Sequence, residues 1–300
     1  MRGILLMIGA VTVFTVMTSF IKVTSGRVPA GEAVFFRSVM ALPVIMIWLA
    51  SRGQLRGGLA TQRPWGHVVR GVAGTVAMGL GFAGLAYLPL PEVTAIRFVT
   101  PILMVILAAL ILGEKVRLVR LSAVGIGLVG VIIILWPSLG GTSEAASFGA
   151  LLVLGSAGFA AFAQVFVKSM AGREKTAAIV FYFSMTATGL SLLTIPFGWV
   201  VPTPRELAFL VSAGLIGGVG QILLTSSYRF ADAGVLAPFT YVSMLWAIVI
   251  GYFVFNEAPT VPMLSGAALI IGAGVLIVLR EQQLGLKRLA RRKVEVKGLQ

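Results

Sequence analysis

The chain has 300 residues, of which 58% are apolar and only 11% charged, with a mean hydropathy of +1.00. So little polar material cannot coat a soluble domain of this size. The absence of cysteine removes disulfides and thiolate metal sites, and the formal charge of +14 has to be explained by where it sits.

Ten apolar stretches follow one another at roughly 3–22, 33–50, 68–88, 92–112, 121–137, 148–167, 178–198, 207–228, 235–255 and 262–279. Most come close to the ~20 residues that cross the hydrocarbon core of a bilayer. Strand-like alternation is absent, and unpaired backbone is not tolerated in lipid. The expected fold class is therefore all-α integral membrane, with ten transmembrane helices. The first stretch, behind Arg2, has the pattern of a secretory leader. Its counterpart recurs in mid-chain, so it is read as a structural helix. The longest loop, 51–67, carries Arg52, Arg56, Arg63 and His67, and the Gly/Ser-rich segment 138–147 divides the chain.

The chain contains itself twice. Residues 3–22 lie over 149–168 without a gap, matching Gly3 with Gly149, Gly9 with Gly155, Phe20 with Phe166 and Lys22 with Lys168. The same offset of 146 sets Arg37 on Phe183 and Ser38 on Ser184; further on, an offset of 143 sets Glu114 on Glu257. Five stretches per copy is an odd number, so the copies face opposite ways, as in many secondary transporters. The predicted organisation is a first repeat over 1–140, a second, inverted repeat over 141–280, and a basic tail over 281–300.

Charge placement gives the repeat a direction. With the N-terminus in the cytoplasm, 19 of the 24 Lys and Arg fall in cytoplasmic segments, Arg70 and Lys168 among them; only Lys22, Arg27, Arg37, Arg97 and Arg205 remain for the other side. Positive residues favour the cytoplasm, so both termini are predicted inside. Lys22 and Glu257 then belong at the outer end, Lys168 and Glu114 at the inner. The run KRLARRK at 287–293 suits anionic lipid rather than nucleic acid.

Several motifs are decoys. Gly79-Leu-Gly81-Phe-Ala-Gly84 and Gly125-Ile-Gly127-Leu-Val-Gly130 match the dinucleotide fingerprint, which requires a preceding strand. Both sit within apolar helices, where small residues let helices approach closely. The glycines of the third helix in each copy, Gly71 to Gly84 and Gly214 to Gly220, are expected to line the central seam. Ser19-Phe-Ile-Lys22 lacks the accompanying motifs of penicillin-recognising enzymes. One histidine and no cysteine leave almost nothing for a metal. No catalytic residue, metal or cofactor is expected.

Ionisable and amide groups at membrane depth need a reason. Arg37 lies near Glu32 and Arg97 near Glu92, so an ion pair or a helix anchor is the plain reading of each. Positions that fix the fold should recur in both copies, yet Arg37 stands opposite Phe183, Arg97 opposite Thr240, Gln164 opposite Thr18 and Gln221 opposite Met78. An asymmetric ligand suits this better than a symmetric scaffold. Among the mid-membrane aromatics, Tyr241 and Trp246 stand out because their polar tips need partners. Pro101 and Pro238 break backbone hydrogen bonds within spans. The candidate substrate site is therefore Arg37, Arg97, Gln164, Gln221, Tyr241 and Trp246. Such a cavity suits a planar molecule with polar edges.

Phe35-Phe36-Arg37-Ser38, Leu90-Pro91-Glu92, Gly113-Glu114, Asn256-Glu257 and the Gly-rich fifth and tenth helices resemble the drug/metabolite transporter superfamily, in its ten-helix EamA type, over about residues 3–280. The resemblance implies a substrate cavity between the repeats, lined mainly by helices 1, 3, 4, 6, 8 and 9. An arginine at the position of Arg37 is frequent in that family, which favours a structural role for it. PAGEAVFFRS (29–38), RGGLATQRPWGHVVRG (56–71) and AYLPLPEVTAI (86–96) look like the bacterial riboflavin-transporter subgroup, and also like relatives that take up S-adenosylmethionine.

The expected function is secondary transport of a small metabolite across the bacterial inner membrane by alternating access, with riboflavin uptake first among substrates. Export of aromatic amino acids or drugs and S-adenosylmethionine uptake are the alternatives. A membrane-embedded enzyme or assembly subunit is a third, although no nucleophile supports it. Without an ATP-binding module, coupling falls to an ion gradient or to the substrate's own; Glu32, Glu92 and Asp232 are the carboxylates available for protons. The partners expected are the small-molecule substrate and the lipid bilayer, with no nucleic acid and with a homodimer left open.

Overall fold

The computed structural model of the chain describes residues 2–55, 57–112, 118–139, 144–170, 173–230, 236, 239–273, 275, 276 and 279. Glu114, Asp232, Pro238 and the basic tail lie outside these residues, as does the side chain of Lys168. The described helices are α1 (Arg2–Thr24), α2 (Ala30–Val39), α3 (Ala41–Ser51), α4 (Pro64–Gly84), α5 (Leu90–Arg97), α6 (Val99–Leu112), α7 (Leu118–Leu139), α8 (Glu144–Met170), α9 (Thr176–Leu192), α10 (Pro204–Phe230), α11 (Val242–Phe255) and α12 (Val261–Ala273). No strand occurs among the described residues. Four segments, Arg2–Thr24, Ala30–Ser51, Glu144–Val167 and Pro204–Phe230, are long and apolar enough to cross a membrane; the second joins α2 and α3.

Local chemistry sets several boundaries. Pro64 opens α4 at the first helical position, where its missing N–H costs nothing. A capping box starts α10: the Glu206 N–H donates to Thr203 Oγ1 (3.3 Å), and the Thr203 N–H donates to Glu206 Oε2 (2.7 Å). The single predicted stretch 92–112 is divided at Phe98, whose N–H bonds back to the Ala95 carbonyl at 3.1 Å. Pro101 explains the division, because it lacks the N–H that would have reached the Arg97 carbonyl. The stretch 178–198 also ends early, with α9 stopping at Leu192, a 3-10 turn over Ile195–Phe197, and Gly198 in the left-handed region at φ 92°.

The most extensive helix contacts join the first half of the chain to the second. α1 lies along α10 as α4 lies along α8, and α2 meets α10 as α4 meets α9. Glycine makes two of these approaches possible. A methyl group on Gly74 of α4 would stand 2.8 Å from the Phe183 ring, and one on Gly217 of α10 would stand 2.8 Å from Met17 Sδ. Both glycine fingerprints lie in helices, α4 and α7, and no strand precedes them among the described residues.

Polar ties close both ends of this bundle. At one end Lys22 Nζ meets Glu257 Oε1 at 2.9 Å and donates to the Leu88 carbonyl at 2.8 Å. There the Leu90 N–H donates to Glu257 Oε2 at 2.8 Å, and the Val200 N–H to Glu32 Oε2 at 3.0 Å. At the far end of α4, His67 Nε2 lies 3.4 Å from Glu174 Oε2, and the Gln62 N–H donates to Glu174 Oε1 at 2.9 Å. Tyr182 Oη donates to the Leu59 carbonyl at 3.0 Å, pinning the 51–63 loop to α9.

Candidate functional site

Four helices bring polar groups together between these ends. Arg37, in the last turn of α2, is 2% exposed, and its Nη2 donates to Gln221 Oε1 on α10 at 3.3 Å. Its guanidinium carbon lies 5.4 Å from the centroid of the Phe183 ring on α9. Arg70, on α4 and 6% exposed, places its guanidinium carbon 3.6 Å from the same centroid. Gly74 and Gly217 leave the room, since a methyl on Gly217 would also stand 3.4 Å from Arg37 Nε.

The hydrogen-bond accounting of this cluster does not close. Among the described residues, Nε and Nη1 of both arginines are buried without a partner, as are the hydroxyls of Ser38 and Ser184. Neither arginine pairs with a carboxylate among the described residues. Glu32, the expected partner of Arg37, instead accepts the Val200 N–H. Arginine stays protonated in proteins, so both charges persist. A desolvated cation–π contact stabilises by about 2 kcal/mol. A central membrane arginine costs at least about 2.5–3.5 kcal/mol on insertion scales and far more on an isolated helix. One ring and one amide do not offset two such charges.

The remaining predicted residues stand apart from this cluster. Arg97, half-buried on α5, sets its guanidinium against Gly81 of α4 and Ser156 of α8: a methyl on Gly81 would lie 2.5 Å from Arg97 Nη2 and 2.8 Å from Ser156 Oγ. Tyr241 packs edge-on against Phe98, with ring centroids 5.1 Å apart. Trp246 is 41% exposed and donates from Nε1 to Thr12 Oγ1 at 3.0 Å. Gln164 is half-buried on α8. None of these four hydrogen-bonds another or the Arg37–Gln221 pair among the described residues. A cleft of about 200 Å³ opens near Lys22, between α1, α2 and α4, lined by Ile21, Val28, Ala33, Phe82 and Tyr87. Its walls carry no charge and none of the predicted residues. The unsatisfied guanidinium cluster is thus the stronger candidate.

Sequence reasoning missed Arg70, counting it with the cytoplasmic basic residues. The signal was present, because Arg70 falls inside the stretch 68–88 and stands opposite Ala213 at the offset of 143. His67 and Glu174 were not expected as a pair; among the described residues no group of three or more His, Asp or Glu side chains could hold a metal.

The model of the EamA-like transporter family matches residues 1–136 and 147–279. The chain belongs to that family. It is accordingly a multi-pass transporter of the bacterial inner membrane. Relatives differ in cargo. The pseudopaline exporter CntI of Pseudomonas aeruginosa is 31% identical, over 92% of this chain and 95% of that protein. A riboflavin transporter of Rhizobium johnstonii is 30% identical, over 85% and 83% respectively. An S-adenosylmethionine uptake transporter of Rickettsia prowazekii is 27% identical, over 87% of each. A solved crystal structure with a TM-score of 0.69 and 21% identity, covering 94% of this chain and 98% of that one, shares the fold.

Proposed function

We propose that this EamA-family transporter is a secondary carrier that moves a small metabolite by alternating access between two inverted repeats, with both termini in the cytoplasm. The substrate then sits among α2, α4, α9 and α10, at Arg37, Arg70, Phe183 and Gln221. The observation that carries this reading is the Arg37–Gln221 contact. It joins a helix of the first half to one of the second, and leaves donor atoms of Arg37 buried and free. Carriers of this design bind substrate near the bilayer midplane between their repeats. The ties at Lys22–Glu257 and His67–Glu174 lie at opposite ends of α4, on either side of that site. Rocking one half against the other would break one set while preserving the other.

Riboflavin remains the first cargo to test, because the riboflavin transporter of Rhizobium johnstonii matches most of the chain. Expression in a riboflavin auxotroph lacking its own uptake system should restore growth at low riboflavin. No growth, with the protein demonstrated in the membrane, would remove that substrate. Counterflow in proteoliposomes with S-adenosylmethionine or an aromatic amino acid then tests the other cargoes.

A further inference from the structure

We infer that the substrate of this carrier bears an anionic group, a carboxylate or phosphate, which Arg37 and Arg70 receive together beside Phe183. This deepens the site reading above and rests on it. A purely structural pair of arginines would have its donors matched by carbonyls or a carboxylate, as Lys22 is matched by Glu257 and two carbonyls. Here, among the described residues, Nε and Nη1 of each guanidinium lie buried with no acceptor, and Ser38 and Ser184 add two hydroxyls without partners. Everything left unmatched on the arginines is a donor. An arginine Nε–Nη edge is the planar fork that holds an oxyanion through two parallel hydrogen bonds. In Arg37 the nitrogen that shares this edge with Nε is Nη2, which donates to Gln221, while Nη1 lies on the Cδ side; the free Nε and Nη1 of each guanidinium therefore present donors on two different edges.

The occupant has to be negative. A neutral ligand would match some donors and leave both charges uncompensated away from water. An oxyanion satisfies the donors and neutralises charge in one step. Phe183 contributes an apolar wall under both cations, which favours a group whose remainder is flat or hydrophobic. The flavin ring system carries no such charge, so this reading ranks a carboxylate- or phosphate-bearing cargo above riboflavin itself.

The test uses the full chain in lipid nanodiscs, reading its thermal midpoint against sodium acetate, sodium phosphate and neutral acetamide at matched sodium chloride. Acetate or phosphate should raise the midpoint saturably, and acetamide should not. The stronger of the two anions identifies a carboxylate or a phosphate cargo. R70Q and R37Q should each weaken that response by about tenfold or more, while R70K retains part of it. Equal responses to acetate and acetamide in the unaltered protein, which need no variant to fold, would overturn the inference. So would a full anion response in R70Q. Failure here leaves the carrier reading intact, since any transported neutral cargo would still establish it. Conversely, an anion response without riboflavin transport removes only that cargo.

Discussion

Arg37 lies against Phe183, the residue that stands opposite it, 146 positions on, when the chain is laid over itself. Ser38 and Ser184, the next aligned pair, are likewise both buried and both without a hydrogen-bond partner. A point that touches its own image under a two-fold rotation must lie near the rotation axis. For inverted repeats, that axis runs in the plane of the membrane. The contact thus agrees with a site at mid-depth, where asymmetry of charge is most useful for gripping an asymmetric molecule.

Gln221→Ala should reduce transport by at least about tenfold while leaving a folded protein. The substitution removes the acceptor that Arg37 has among the described residues and leaves a further donor buried, at a cost of about 1–3 kcal/mol. Substrate flux in proteoliposomes, together with a thermal midpoint on the same sample, separates the two effects. Unchanged flux would remove Gln221 from the site.

Two glycines of one helix should respond in opposite ways. Gly74→Ala drives a methyl toward Phe183 at 2.8 Å and should destabilise by about 1–3 kcal/mol, with transport lost. Gly79→Ala meets nothing within 4 Å and should be tolerated within about 0.5 kcal/mol. Equal midpoints for the pair would contradict the packing described for α4 on α9.

Glu257→Gln should loosen the Lys22 end without unfolding it. The amide oxygen still accepts the Leu90 N–H, but the ion pair to Lys22 is gone. Because the chain has no cysteine, a single cysteine at Ala86, in the wall of the neighbouring cleft, reports opening without background. Maleimide labelling at that position should be faster in the Glu257→Gln background than in the parent. An unchanged rate would show that the ion pair does not hold this end closed.

Acid should release the loop before it affects the bundle. Burial pushes the Glu174 carboxyl up, but the Gln62 N–H, the His67 imidazole and the Thr61 hydroxyl hold it below the usual carboxylate range. A carboxyl whose folded pKa is depressed stabilises fully above its unfolded value, about 4.3, and this contribution disappears as pH falls through the lower folded value. Hydrogen exchange at the Gln62 amide should therefore accelerate only in strongly acidic buffer. Glu174→Gln should accelerate it at neutral pH as well.

Most of the fold was legible because its signals are local or periodic. Apolar runs located the helices, but the stretch 92–112 reads as undivided although Pro101 stands within it, and the capping box of Thr203 and Glu206 that starts α10 went unread. The candidate site was legible only in part. Internal alignment singled out Arg37 and Gln221, and the structure joins them. It also singled out Arg97 and Gln164, which the structure sets elsewhere, because asymmetry marks a position without saying which way its side chain turns. Arg70 was hidden by its neighbours: next to Arg63 and His67 it read as loop charge, although helix α4 carries it inward onto Phe183. Partnership with Glu32 looked natural for Arg37 from spacing alone, but Val200, 168 residues from Glu32, takes that carboxylate. Long-range competition of this kind leaves no trace in local sequence.

The two guanidiniums around Phe183 have an electrical consequence. When an empty carrier changes the side to which its site is open, the fixed charges stay in place while the insulating barrier moves past them. In the alternating-access cycle proposed for this carrier, two positive charges would then cross the membrane field in effect, at about 2.3 kcal/mol per charge per 100 mV. A bound anion cancels part of that work. The return of the empty carrier, rather than its loaded step, would then be the voltage-sensitive half of the cycle, and the resting potential would hold the vacant site toward the cytoplasm.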